Sequence, residues 1–347
     1  MKTLITGATG FLGTHLVTGL LERGEGPRLR LLLRQAEPER VRALGAQGVE
    51  VVQGSVTDPA AVALAVAGVD RIYHLAGLVS RKRSDAHRMY DVHVEGTRFL
   101  CEAARAASVR RIVLASTSGT VAVAERADEM PDETTVAPID IIGRWPYYAS
   151  KLYQEETARR ACGDAIELVM VNPSLLLGPG DDRLSSTRDV LSFLARDIAL
   201  TPPGGLNFVD VRDVAAALPA AMDRGRAGER YLMGGHNLTF GELFGRLGRL
   251  SRVAGPRLRP PGKWTVLAAH AQAAIYRTLG RTPPIEPDSV EMARYFWYFP
   301  SSKAQQELGF SARDATITLN DTIKYLRAHF LGNGALASAA NAGTAAP

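Results

Sequence analysis

The chain has 347 residues, 46% hydrophobic and 22% charged, which suits a globular enzyme and not a fibrous, disordered or membrane-embedded chain. Its net charge of +5 rests on 35 arginines and 6 lysines against 36 acids. These bases are scattered among acids and form no stripe with interleaved aromatics, so no nucleic-acid partner is expected. Two cysteines, Cys101 and Cys162, suit neither a metal site nor a disulfide framework, so a reducing compartment and no metal are expected. Met1 to Ile5 runs straight into an apparent core strand, leaving no room for a signal peptide, and a cytoplasmic location follows. The most apolar stretch, from Trp264 to Tyr276, is shorter than the ~20 residues a spanning helix needs and holds His270 and Gln272, so no transmembrane segment is expected.

Taken in order, residues 2 to 6 are a short apolar run followed by Gly7-Ala8-Thr9-Gly10-Phe11-Leu12-Gly13 and an apolar helical pattern. Strand, glycine turn and helix in that order form a dinucleotide cradle. The glycines let backbone approach a pyrophosphate, and the helix start offers free N–H groups to its charge. A second strand, Leu29 to Leu33, ends in Arg34, where an acid would take the ribose hydroxyls of NAD and an arginine can pair with a 2′-phosphate. NADP(H) is therefore favoured, with NAD(H) as the alternative. A third strand spans Val49 to Val52, and the loop after it, with Ser55 and Val56, faces the adenine. A fourth, Arg71 to Leu75, delivers Leu75, Ala76 and Gly77 to the middle of the site.

A basic, mobile-looking loop from Ser80 to Arg88 precedes a helical pattern from Met89 to Ala107. Strand five, Ile112 to Ala115, empties into Ser116-Thr117-Ser118-Gly119-Thr120, where open α/β sheets bind ligands. After a proline-bearing loop, Tyr147 and Lys151 stand four apart at the start of a helix, so phenol and ammonium share one face. A cation there stabilises the phenolate and lowers the tyrosine pKa, giving a proton donor. Strand six, Glu167 to Val171, is interrupted by Asn172-Pro173. Alternating strands and helices predict an α/β fold with a doubly wound, mostly parallel sheet.

These motifs, together with Asn172-Pro173-Ser174 and the Asp210 to Val214 segment, resemble the extended short-chain dehydrogenase/reductase superfamily, most closely its dihydroflavonol-4-reductase-like branch. The resemblance implies a Rossmann domain over residues 1–177, with 206–224 returning to it. It also implies a smaller, mainly C-terminal α/β substrate lobe from 178–205 and 225–330, before a disordered tail at 331–347. The dinucleotide would lie on Gly7, Thr9, Gly10, Phe11, Leu12 and Gly13, with Pro173 and Ser174 across from them and Tyr147 and Lys151 at the nicotinamide end. A Ser-Tyr-Lys mechanism is implied. Tyr147 would protonate a carbonyl oxygen as hydride arrives, Lys151 would hold the ribose and lower the Tyr147 pKa, and Ser118, or alternatively Thr117, would hydrogen-bond the oxygen. His93 departs from an asparagine common in the superfamily, and Ser55 from an aspartate.

Substrate choice falls to the lobe. Apolar positions from Trp264 to Leu279 repeat at helical spacing, as a core face or as an apolar lip touching a membrane surface. Tyr295 to Phe299 is an aromatic run suited to packing first and ligand stacking second. The expected activity is reduction of a small, largely apolar ketone or aldehyde of secondary or lipid metabolism. A nucleotide-sugar epimerase or dehydratase, a 3β-hydroxysteroid-type dehydrogenase and a non-catalytic cofactor sensor are the alternatives. A homodimer through two long helices would fit the resemblance.

Overall fold

The computed structural model describes residues 1–35, 37–256, 258 and 287–332. Seven strands form one parallel sheet in the order β3-β2-β1-β4-β5-β6-β9. They are β1 (Thr3–Thr6), β2 (Leu29–Leu33), β3 (Glu50–Gln53), β4 (Arg71–His74), β5 (Arg111–Ala115), β6 (Glu167–Pro173) and β9 (Arg230–Met233). Adjacent residues on each strand enter opposite cores. Ile5, Leu31, Tyr73, Val113 and Val169 pack with the helices Phe11–Glu22 and Val211–Arg224. Leu4, Leu32, Ile72, Ile112 and Leu168 pack with the helices Pro59–Val66, Gly96–Ala106 and Pro146–Cys162. Apolar runs are thus buried on both faces, as a doubly wound parallel sheet requires. The expected fold class is found.

Strand order reverses between β1 and β4, and the turns after β1, β4 and β5 open at that switch point. A second, four-stranded sheet is built around β8 (Gly205–Asp210). It pairs antiparallel with β10 (His236–Thr239) on one edge and parallel with β7 (Leu175–Leu177) and β11 (Phe296–Trp297). Phe193, Phe208, Phe244 and Leu319 are part of the apolar core beneath it. The helix Val211–Arg224 leads from β8 back to the central sheet.

Some elements differ from their sequence-based bounds. Strand β6 runs through Asn172 and Pro173, because its pairing with β5 ends at Ala115–Val171 and Pro173 needs no donor on that side. In the segment 178–205 a short helix spans Arg188–Leu194, and the chain turns away just past it at Arg196, whose φ of +64° is left-handed. The expected helix from Met89 to Ala107 contains a π turn at Asp91–Glu95, between Ala86–Tyr90 and Gly96–Ala106. The Ser80 to Arg88 loop is pinned, Arg81 pairing with Asp189 and Arg83 with Asp288. The Trp264 to Leu279 stripe and residues 333–347 lie outside the described residues. Among the described residues no helix is long and apolar enough to cross a membrane.

Candidate active site

Backbone contact sets the cradle. Gly7 has a φ of +72°, and a Cβ on it would fall 2.5 Å from the Leu75 carbonyl, so the β1 and β4 turns touch only because Gly7 lacks a side chain. A Cβ on Gly13 would fall 2.1 Å from the Gly7 carbonyl oxygen, pressing the helix against the turn that feeds it. Gly10 caps that helix with no side-chain hydrogen bond, and Phe11 and Leu12 open it. Such a close-packed, uncapped start fits a dinucleotide pyrophosphate. Thr9 is half-buried in the turn, and His15 donates Nε2–H to the Pro179 carbonyl at 2.9 Å, tying this helix to the loop after β7.

The remaining cofactor candidates line the same C-terminal edge of the sheet. Arg34 is exposed just past β2, one strand out from β1. Ser55 and Val56 follow β3, one strand further; the Ser55 hydroxyl lies 2.8 Å from that of Thr57, and Val56 packs on Gly96. The Ala76 N–H donates to Thr6 Oγ1 at 3.3 Å, fixing the turn that carries Leu75 and Gly77. Pro173 ends β6, and the buried Ser174 hydroxyl has no hydrogen-bond partner among the described residues.

Tyr147 and Lys151 sit in the first turns of the helix Pro146–Cys162, which begins at a proline, where no N–H is needed. Lys151 is buried and donates to the Ala115 carbonyl at 2.7 Å and to Gln154 Oε1. Burial lowers its pKa to about 7, Glu155 opposing the shift. Tyr147 is half-buried, and its phenol is raised above the ordinary tyrosine range by burial and by Tyr148, against a lowering hydrogen bond with Thr117. The Lys151 ammonium is drawn to the Ala115 carbonyl and to Gln154. Of the two hydroxyl candidates, Thr117 caps the 3₁₀ turn Ser118–Thr120, its side chain accepting from the Gly119 N–H, while Ser118 is buried at the start of that turn.

Behind these groups lie residues that sequence reasoning missed. Glu155 is buried and its Oε1 accepts from Ser116 (2.5 Å), Thr120 (2.9 Å) and Asn172 (2.8 Å), while Oε2 accepts from Arg230 (2.8 Å). One carboxylate thereby holds the turn that presents Thr117. A second chain runs from Lys151 through Gln154 and Thr97 to His74, whose other nitrogen meets Thr6 at 2.7 Å. Beside Tyr147, Tyr148 stacks on Trp297 with centroids 4.8 Å apart, and Trp145 closes the aromatic group. Glu155 stands four residues beyond Lys151, on the same helix face, but nothing in that spacing shows the donors it collects.

Residues 3–234 match the model of the NAD-dependent epimerase/dehydratase family. The chain belongs to that family. Its membership makes the protein an NAD(P)-dependent oxidoreductase of the extended short-chain dehydrogenase/reductase type, in the dihydroflavonol-4-reductase-like branch. Among relatives of this epimerase/dehydratase chain, sterol demethylase protein B of Methylococcus capsulatus is 33% identical over 330 residues, 94% of this chain and 98% of that protein. A putative dihydroflavonol 4-reductase of Synechocystis sp. is 31% identical over 94% of each chain. The crystal structure of gox2253 has a TM-score of 0.79 at 32% identity, covering 94% of this chain and 98% of that one.

Proposed function

We propose that this family member reduces a largely apolar ketone or aldehyde with NADPH, Tyr147 supplying the proton to the carbonyl oxygen. The observation that carries the reading is Tyr147 on one helix face with the buried Lys151, on a helix that packs against the Ser118–Thr120 turn at the sheet edge that also bears the glycine cradle. Bound in that cradle, the dinucleotide supplies the reducing equivalent. The chain's own residues orient and protonate. Thr117, whose hydroxyl lowers the Tyr147 pKa, takes the serine role, Ser118 lies next to it, and Glu155 fixes their turn through Ser116 and Thr120. Lys151 keeps a positive charge within the site up to about neutral pH.

Arg34, exposed at the end of β2, supports NADP(H) over NAD(H), since a guanidinium pairs with a 2′-phosphate in charge-assisted hydrogen bonds. Tyr148, Trp297 and Trp145 beside Tyr147 offer an apolar wall to a substrate. Two relatives bear names that refer to a sterol and to a dihydroflavonol, both in keeping with such a wall. We assign substrate choice to the lobe built on the second sheet.

The test is oxidation of NADPH and of NADH over a panel of apolar ketones, aldehydes and ring-bearing carbonyls. Turnover is expected with NADPH, and Tyr147→Phe should lose roughly a hundredfold or more in kcat while its NADPH Kd stays within about twofold. Thr117→Val should lose more turnover than Ser118→Ala. Full activity in Tyr147→Phe would remove the mechanism.

A further inference from the structure

His93 is fully buried in the π turn Asp91–Glu95, an irregularity that inserts an extra residue into a helix and recurs at functional sites. Its ring bridges two parts of the site. On one side the Leu78 N–H donates to Nε2 at 3.0 Å, in the turn that follows Ala76 and Gly77. A Cβ on Gly77 would lie 3.3 Å from that same nitrogen, so the ring underlies the turn. On the other side Nδ1 meets Ser150 Oγ at 2.9 Å, and the Ser150 hydroxyl donates to the Tyr147 carbonyl at 2.8 Å. The ring also meets the Tyr147 ring edge to face, with centroids 6.0 Å apart.

The direction of these bonds is forced. A backbone N–H only donates, so Nε2 carries no proton and the neutral ring holds its proton on Nδ1. Ser150 spends its own proton on a backbone carbonyl and must accept the one from Nδ1. The chain ends on that carbonyl, which has nothing to pass on, so His93 is no proton relay. Burial beside Lys151 and His74 moves its pKa down to about 2, which keeps the ring neutral and the polarity fixed.

We infer that His93 is a positioning residue that fixes the Ala76–Gly77–Leu78 turn relative to Tyr147, so that one neutral imidazole aligns the cofactor-facing turn with the proton-donating helix. The inference rests on the proposed role of Tyr147 and of the turn after β4. It also explains why histidine stands here. A single side chain must accept at one end and donate at the other across the width of an imidazole.

Two substitutions separate the two ends. In His93→Asn the amide nitrogen takes the Nδ1 position and can still donate to Ser150, but the side chain stops short of Leu78. In His93→Gln the amide oxygen reaches the Nε2 position and can still accept from Leu78, but nothing is given to Ser150. For His93→Asn, the NADPH Kd should rise about five- to tenfold and the Leu78 amide should exchange at least about tenfold faster, with kcat at saturation within about threefold of wild type. For His93→Gln, the Leu78 amide and the NADPH Kd should stay near wild type while kcat falls roughly ten- to a hundredfold. Ser150→Ala, which leaves the histidine in place, should reproduce the His93→Gln pattern. Equal effects of all three variants on every readout, or no effect on any, would overturn the positioning role. If the wild type binds NADPH but reduces no carbonyl, the proposed reaction fails. The Leu78 exchange and NADPH affinity then still decide whether His93 holds the turn.

Discussion

Arg34 is the side chain on which we propose that cofactor choice turns, and its setting makes the consequence measurable. It is exposed, so its guanidinium can meet a phosphate without a folding cost. A charge-assisted contact is worth roughly 1.5–3 kcal/mol, or about ten- to a hundredfold in affinity. Arg34→Ala should raise the NADPH KM by at least about tenfold and leave the NADH KM within about twofold. An unchanged ratio of the two would remove Arg34 from cofactor choice. At this scale the sequence was legible where spacing carries meaning, as in Gly7 to Gly13 and in Tyr147 with Lys151. Glu155 was not legible, because a lone carboxylate says nothing about the donors it will collect from Ser116, Asn172 and Arg230 on three other strand ends. The placement of Thr117 and Ser118 was equally hidden, since which of two adjacent hydroxyls caps the 3₁₀ turn and which is buried at its start leaves no mark in the sequence.

Between elements, the loop after β4 is strapped to the second lobe by two bidentate arginine–aspartate pairs. Arg81 meets Asp189 at 2.6 and 2.9 Å, and Arg83 meets Asp288 at 2.9 and 3.0 Å. Arg81 and Asp189 are each nearly half exposed, at 44% and 48%, so that pair adds no more than about 1 kcal/mol to stability. What the strap does is order the loop. Both charges of the Arg81–Asp189 pair bias the Tyr148 phenol, next in chain to Tyr147, which places the strap beside the proposed substrate wall. Replacing Asp189 and Asp288 by Asn leaves Arg81, Lys82 and Arg83 as trypsin sites and frees the loop that carries them. Cleavage there should speed up about five- to tenfold with little change in melting temperature. The wild-type loop should show a smaller acceleration in about 0.5 M salt, which screens the exposed Arg81–Asp189 pair more than the pair to the buried Asp288. An unaltered cleavage rate in the double variant would show that the loop is held by something else. The strap also marks the limit of sequence reading at this scale. Strands and glycine turns are local patterns, whereas pairs separated by 108 and 205 positions leave no local trace. The π turn escaped for a related reason, since its apolar spacing still passes for an ordinary helix.

Across the whole molecule, the site rests on three bases that folding holds in or near their neutral forms. Burial lowers His74 to about 3, His93 to about 2 and Lys151 to about 7, with the Lys151 charge adding to both histidine shifts. An unfolded chain would titrate these groups near their ordinary values of roughly 6.5 and 10.4. The folded chain therefore binds fewer protons in two separate windows. Between about pH 3 and 6.5 the unfolded histidines are charged and the folded ones are not, so stability rises with pH, by up to ~1.4 kcal/mol per pH unit for each ring. From about pH 7 to 10.4 the same holds for Lys151, and stability rises again with the slope of one proton. Below about pH 7 the lysine is protonated in both states and contributes no slope. Lys151→Met should therefore abolish the upper rise, between pH 7 and 10, while the acid limb below pH 6.5 persists but narrows from its acid end, because the Lys151 charge that adds to both histidine shifts is gone. Urea unfolding of wild type and variant at one-unit pH steps reads this difference directly, without any substrate. A wild-type curve that runs parallel to the Lys151→Met curve from pH 7 to 10 would mean that Lys151 keeps an ordinary pKa in the folded chain. The ammonium would then be fully charged at every working pH, and the hydrogen bonds to Ala115 and Gln154 would have to offset its burial in full.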